Sequence, residues 1–67
     1  MSMIRREFQL AIRLDNAAFD GRNGPYEVAR LLRKVAKTIE DGLSAKSKIL
    51  DINGNTAGSY GVKLVRY

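Results

Sequence analysis

The sequence predicts an α+β domain of order β-α-β-β, with one amphipathic helix packed on a three-stranded antiparallel sheet. Three observations carry that prediction. Apolar residues recur at helical spacing through the middle of the chain, alternate with polar ones near its start, and alternate again in two runs near its end. Neither a one-faced helix nor a one-faced sheet can bury its apolar side alone, so the helix must cover the sheet.

The first strand is read from Phe8, Leu10, Ile12 and Leu14, which alternate with Glu7, Gln9, Ala11 and Arg13. Such a period of two describes a strand with one buried face. Asp15-Asn16 ends it. Phe19, after Ala17 and Ala18, is expected to plug the core beneath the helix, and the segment from Asp20 to Pro25 is rich in turn residues.

The helix is expected over residues 25–41. Pro25 suits the first helical position, Gly24 becomes the cap, and Glu27 favours the helix dipole. Val28, Leu31, Leu32, Val35 and Ile39 fall on one stripe about 100° wide, flanked by Ala29 and Ala36. Asp41-Gly42 supplies the stop, with glycine in the left-handed position.

Residues 43–46 read as a connector, and residues 48–52 and 59–66 as two strands. A tight Asn53-Gly54 hairpin would set Leu50 opposite Ala57 and Ile52 opposite Asn55, scattering the apolar residues. Placing Leu50 opposite Tyr60 and Ile52 opposite Gly58 instead gathers Leu50, Ile52, Tyr60, Val62 and Leu64 on one face. A longer loop containing the Asn-Gly turn is therefore expected. Pairing of the first strand with the last gives the spatial order one-three-two. The resulting core is marginal for a monomer of 67 residues, which a homodimer would relieve.

Composition restricts the chemistry. With no cysteine and no histidine the chain lacks disulfides, thiolate or imidazole metal ligands and the commonest general base. The opening Met1-Ser2-Met3-Ile4-Arg5-Arg6 is not followed by an apolar block, and no apolar run approaches the ~20 residues of a membrane span. A soluble cytoplasmic protein is expected, with no catalytic residue, cofactor or metal, and no membrane partner. Twelve lysines and arginines against seven acids leave a formal charge of +5, which favours polyanions or acidic protein surfaces.

Three stretches suggest chemistry and do not complete it. Asp51-Ile52-Asn53-Gly54-Asn55 alternates oxygen ligands like a calcium loop, but Thr56 and Val62 stand where that loop needs glycine and glutamate. Gly21 and Gly24 precede the helix without a phosphate-loop pattern, and Glu27 opposes an anion there. Asp15, Asp20, Glu40 and Asp41 read as turn and surface acids.

Two surfaces could meet a partner. Arg30, Arg33, Lys34 and Lys37 recur opposite the apolar stripe, with Tyr26 one turn before Arg30; such a ridge could contact phosphates while the tyrosine stacks. The alternative is a solvated helix face balanced by Glu27, Glu40 and Asp41. The second surface is the open side of the sheet. Arg5, Glu7, Gln9 and Arg13 should share it with Ser59, Lys63, Val65 and Tyr67, and Ile49 and Asp51 should complete it. Ile49, Val65 and Tyr67 are more apolar than a solvated face requires, which points to a protein contact or dimer seam.

FQLAIRLDNAAFD, EVARLLRKVAKTIEDG and DINGNTAG together resemble a loose group of small accessory proteins carried by bacteriophages, prophages and other mobile elements. The resemblance covers most of the chain and brings no catalytic residues with it. It implies a non-enzymatic protein acting in a bacterial host cell, inhibiting or modulating a host protein or ribonucleoprotein complex in the manner of an anti-CRISPR. The alternative is a small basic accessory protein that binds DNA or RNA directly.

Overall fold

In the computed structural model, which describes residues 3–43 and 45–67, the order is β1 (Ile4–Ile12), a single-turn 3-10 helix (Ala17–Phe19), α1 (Asn23–Glu40), β2 (Ser47–Leu50) and β3 (Thr56–Arg66). Met1 and Ser2 of the N-terminal stretch, and Ser44 of the expected connector, lie outside the described residues. β3 is the central strand. β1 pairs along it from Ile4↔Arg66 to Ile12↔Gly58, and β2 takes its other edge, both antiparallel. The α+β class and the one-three-two order are those the sequence predicts.

The helix begins two residues before the expected start. Its cap is Arg22, without a side-chain capping bond, and Gly24 already lies within the first turn. Glycine is needed at position 24 for closeness: a Cβ there would strike the backbone carbonyl of Phe19. Thus the 3-10 turn and the first turn of α1 press directly together, and Phe19 is buried as expected. Asp41 closes the helix and Gly42 takes a positive φ of 149°.

The hairpin between β2 and β3 departs from expectation. Ser47↔Tyr60, Lys48↔Ser59 and Ile49↔Gly58 follow the tight-turn pairing, and then Leu50 faces Thr56, leaving Ala57 as an extra residue in β3. A bulge absorbs the mismatch that argued against the tight turn. The consequence is that β2 shows its other face: Ile49 and Asp51 are buried, while Leu50 and Ile52 are 45% and 69% exposed. Ile and Leu are nearly equivalent as apolar residues, so burial alone does not choose between the two faces. Asp51 chooses. Its main chain closes the turn (N to Asn55 O, 2.8 Å; O from Gly54 N, 3.0 Å) and its carboxylate receives the N–H groups of Asn53 and Asn55. With Asp51 turned inward, Ile49 follows it two residues away.

Phe19, Leu31, Val35, Ile49, Ala57 and Tyr60 form the core, with Leu10, Ile12, Ala18, Val28 and Ile39 packed around it. Leu32, Phe8, Leu14 and Leu64 were expected on the buried side and stand between 45% and 67% exposed. Leu32 lies at the edge of the helical stripe, and Leu14 lies beyond the end of β1. Phe8 and Leu64 do face the helix side of the sheet, but α1 packs mainly against the 3-10 turn and β2. Residues 4–8 and 62–66 therefore run on as a two-stranded arm, and the molecule measures 48 × 25 × 17 Å.

Candidate functional site

The helix face sorts into three parts. Arg33, Lys34 and Lys37 are exposed, none forms an ion pair among the described residues, and Tyr26 is 76% exposed. On the helical wheel Tyr26, Arg33 and Lys37 fall on one line, whereas Lys34 leans toward β2. There it joins Lys48 on a groove of about 250 Å³ floored by Leu31, Val35, Ile49 and Tyr60. Lys48 is a cation the sequence reading did not place with this group.

Arg30 belongs elsewhere. Its Nε and Nη2 donate to both oxygens of Glu27 at 2.7 and 3.0 Å, and Glu27 also receives the Ile52 N–H at 2.8 Å. Glu27 is 6% exposed and far from being a simple dipole-favouring surface acid. The hydrogen bond from Arg30 holds the Glu27 carboxyl below its ordinary range against the opposing effect of burial, and the same bond raises the Arg30 guanidinium. Arg30 therefore anchors the turn after β2 to the helix, and its charge is already neutralised.

A second polar cluster lies beside it. Asn16 Nδ2 donates to Asp51 Oδ2 at 2.7 Å while Asn16 Oδ1 accepts from Ala18 N, and Asp51 Oδ1 accepts from Asn53 and Asn55. Both oxygens of Asp51 are thereby engaged within the protein. The segments around Asn16 and Asp51, far apart in the chain, meet here as one fastening. Among the described residues no group of three or more Asp, Glu, His or Cys side chains is placed to hold a metal ion.

The open sheet face gathers most of its expected members. Arg5 pairs with Glu7 at 2.7 Å and its guanidinium lies 4.6 Å from the centre of the Tyr67 ring. Lys63 is opposite Glu7, Val65 is opposite Arg5 and half-buried, and Arg13 donates to the Thr56 carbonyl at 3.1 Å. Ile49 is not a member: it is 3% exposed, on the core side, for the reason given by the Asp51 turn. Asp51 leaves this face with it. On what remains of this face, Arg5–Glu7 is the one ion pair among the described residues, and Arg13 is held by a backbone carbonyl.

Burial of Glu27 and Asp51 has an electrostatic consequence. Two of the seven acids are withdrawn from the surface, while of the twelve bases only Arg30 is spent on one of them. The charge presented to solvent is more positive than the formal +5. No helix among the described residues is long and apolar enough to cross a membrane. In comparisons with known proteins, the chain matches no family model, no curated protein and no solved structure.

Proposed function

We propose that this chain is a non-enzymatic binding protein of the cytoplasm that attaches to nucleic-acid phosphates through the outer side of α1. Arg33, Lys34 and Lys37 are the contacts, and Tyr26 is available to stack on a base. One observation supports the reading above all: these helix cations are exposed and form no ion pair among the described residues, and of the acids at either end of the helix Glu27 is occupied by Arg30. A guanidinium or ammonium without an internal partner gains most from a phosphate, because it surrenders no existing bond.

The phosphates could be those of free nucleic acid or those held by a host nucleoprotein complex. Inhibition of such a complex, anti-CRISPR-like in style, is the second form of the proposal. Affinity capture with and without nuclease separates the two, since a protein-held complex survives nuclease treatment.

Direct binding is tested by anisotropy titration with single- and double-stranded DNA and RNA. Three phosphate contacts predict a log–log salt slope of roughly −2 to −3, so affinity should fall about 15- to 65-fold between 50 and 200 mM salt. Arg33→Glu with Lys37→Glu should abolish binding with the circular dichroism spectrum unchanged. Binding that ignores salt, or that survives this double substitution, would refute the assignment.

A further inference from the structure

We infer that two copies of this chain pair through β1, antiparallel and centred on Phe8, to form a continuous six-stranded sheet. The inference is independent of the nucleic-acid reading. It begins from surface area. A compact monomer of 7.5 kDa exposes roughly 4,200 Å², whereas this chain exposes 5359 Å². Its radius of gyration is 14.0 Å, against about 11 Å expected for a compact chain of this length. The excess of roughly 1,000 Å² is comparable to the ~800 Å² that each partner contributes to a standard interface.

The arm contributes to that excess: Ile4, Phe8 and Leu64 on the helix side of the sheet are 60%, 47% and 67% exposed. The outer edge of β1 runs beside it. Met3 and Tyr67 exchange both backbone bonds, at 3.0 Å each, which fixes the alternation along the ladder. Arg5, Glu7, Gln9 and Ala11 accordingly bond to β3, and Ile4, Arg6, Phe8, Leu10 and Ile12 turn their N–H and C=O groups outward. Among the described residues no strand meets this edge. Nine residues long, it has no proline and no bulge in its pairing with β3, and its one outward-turned charged residue is Arg6. Edges left so unprotected invite another strand.

The pattern of β1 says which strand. Turned end for end about Phe8, the nine residues overlap completely: Ile4 meets Ile12, Arg6 meets Leu10, Glu7 meets Gln9, and Phe8 meets its counterpart. No like charges oppose each other in this register. An axis on Arg6 or on Glu7 would set that residue beside its own copy. Pairing about Phe8 also brings Ile4 of one copy against Ile12 of the other, which already borders the core.

Sedimentation of the full chain from about 1 to 100 µM, the range of a micromolar complex, should show twice the 7.5 kDa mass. Amide exchange on the same sample should protect Arg6, Phe8 and Leu10 as well as Glu7 and Gln9. A monomer throughout that range, or a dimer whose Arg6, Phe8 and Leu10 amides exchange freely, overturns the proposal. Phe8→Lys and Phe8→Glu should each be monomeric alone and form the dimer when mixed, because only this register sets position 8 against itself. Failure of the mixture to associate, with both variants folded, also overturns it. Should the variants unfold, the exchange pattern of the unaltered chain still decides.

Discussion

The hydrogen bond between Asn16 and Asp51 can be turned around, and the reversal tests whether these two loops are fastened as described. Asp51 accepts from Asn16, Asn53 and Asn55 at 2.7, 2.9 and 3.0 Å. Asn53 and Asn55 are exposed, so water can replace the lost partner at those amides, whereas Asn16 is half-buried. Asp51→Ala should cost about 3 kcal/mol, taking roughly 0.5–1 for each exposed bond and about 1.5 for the buried one. A chain of this length has roughly 3–10 kcal/mol in total, so that variant is near the edge of folding. Asp51→Asn is the milder probe. It keeps one oxygen for the turn amides but points an NH₂ group at the NH₂ of Asn16, and should cost about 1.5–2 kcal/mol. Asn16→Asp alone sets two carboxylates face to face and should cost at least as much.

Combined, the two substitutions restore a donor opposite an acceptor. The carboxylate at position 16 accepts from the amide at position 51 and still accepts from Ala18 N. The double variant should return to within about 1 kcal/mol of the parent, a coupling of about 2–3 kcal/mol. Urea unfolding followed by circular dichroism reads this directly, since an m-value near 1 kcal/mol/M places the Asp51→Asn midpoint about 1.5–2 M lower. A double variant as unstable as the two single losses added together would refute the geometry.

The remaining predictions probe the other structural claims. Ile49→Ala should destabilise by about 2–4 kcal/mol, while Leu50→Ala and Ile52→Ser should stay within about 1 kcal/mol; the reverse ranking in urea titrations would restore the face expected from sequence. Gly61→Ala should destabilise by at least about 1–3 kcal/mol, because a Cβ there meets the Ala45 carbonyl, and an unchanged midpoint would remove that contact. Glu27 predicts acid sensitivity. The Arg30 hydrogen bond holds its folded carboxyl below the ordinary glutamate range, so its contribution is complete above the unfolded pKa and is lost as pH falls through the folded one. Glu27→Gln should flatten that part of the stability–pH curve below about pH 4.5, and an unaltered curve would show that another group is responsible.

Much of the architecture was legible because two periodicities determine it. Leu31 and Val35 at helical spacing, and Leu10, Ile12 and Tyr60 at strand spacing, fall in or against the core. The face of β2 was not legible, because Ile49-Leu50-Asp51-Ile52 offers an apolar residue to either side. Its orientation is set by Asp51 accepting from three donors on separate residues, a tertiary arrangement with no sequence period. The same applies to Arg30 and Glu27. Their spacing of three suggests a surface pair, and only the approach of the Ile52 N–H turns the carboxylate inward. At the candidate site, Arg33, Lys34, Lys37 and Tyr26 were placed by the helical wheel alone. That Lys34 and Lys48 border one groove was not legible, because it depends on how α1 lies over β2.

The two ends of the molecule solve the problem of a small core differently. Around Asn16, Glu27 and Asp51, hydrogen bonds to buried carboxylates tie three segments together where apolar side chains are few. Such carboxylates are tolerable only when fully bonded, and the described residues leave no buried side-chain polar atom without a partner. At the other end, residues 4–8 and 62–66 have backbone pairing but no helix above them, and their apolar side chains remain in water. A two-stranded ribbon is marginal by itself. The proposed second β1 about Phe8 would add a strand to this ribbon. It would also place two copies of the Arg33–Lys37 ridge on one continuous sheet, so that any polyanion reaching both would bind with avidity set by the dimer rather than by three cations alone.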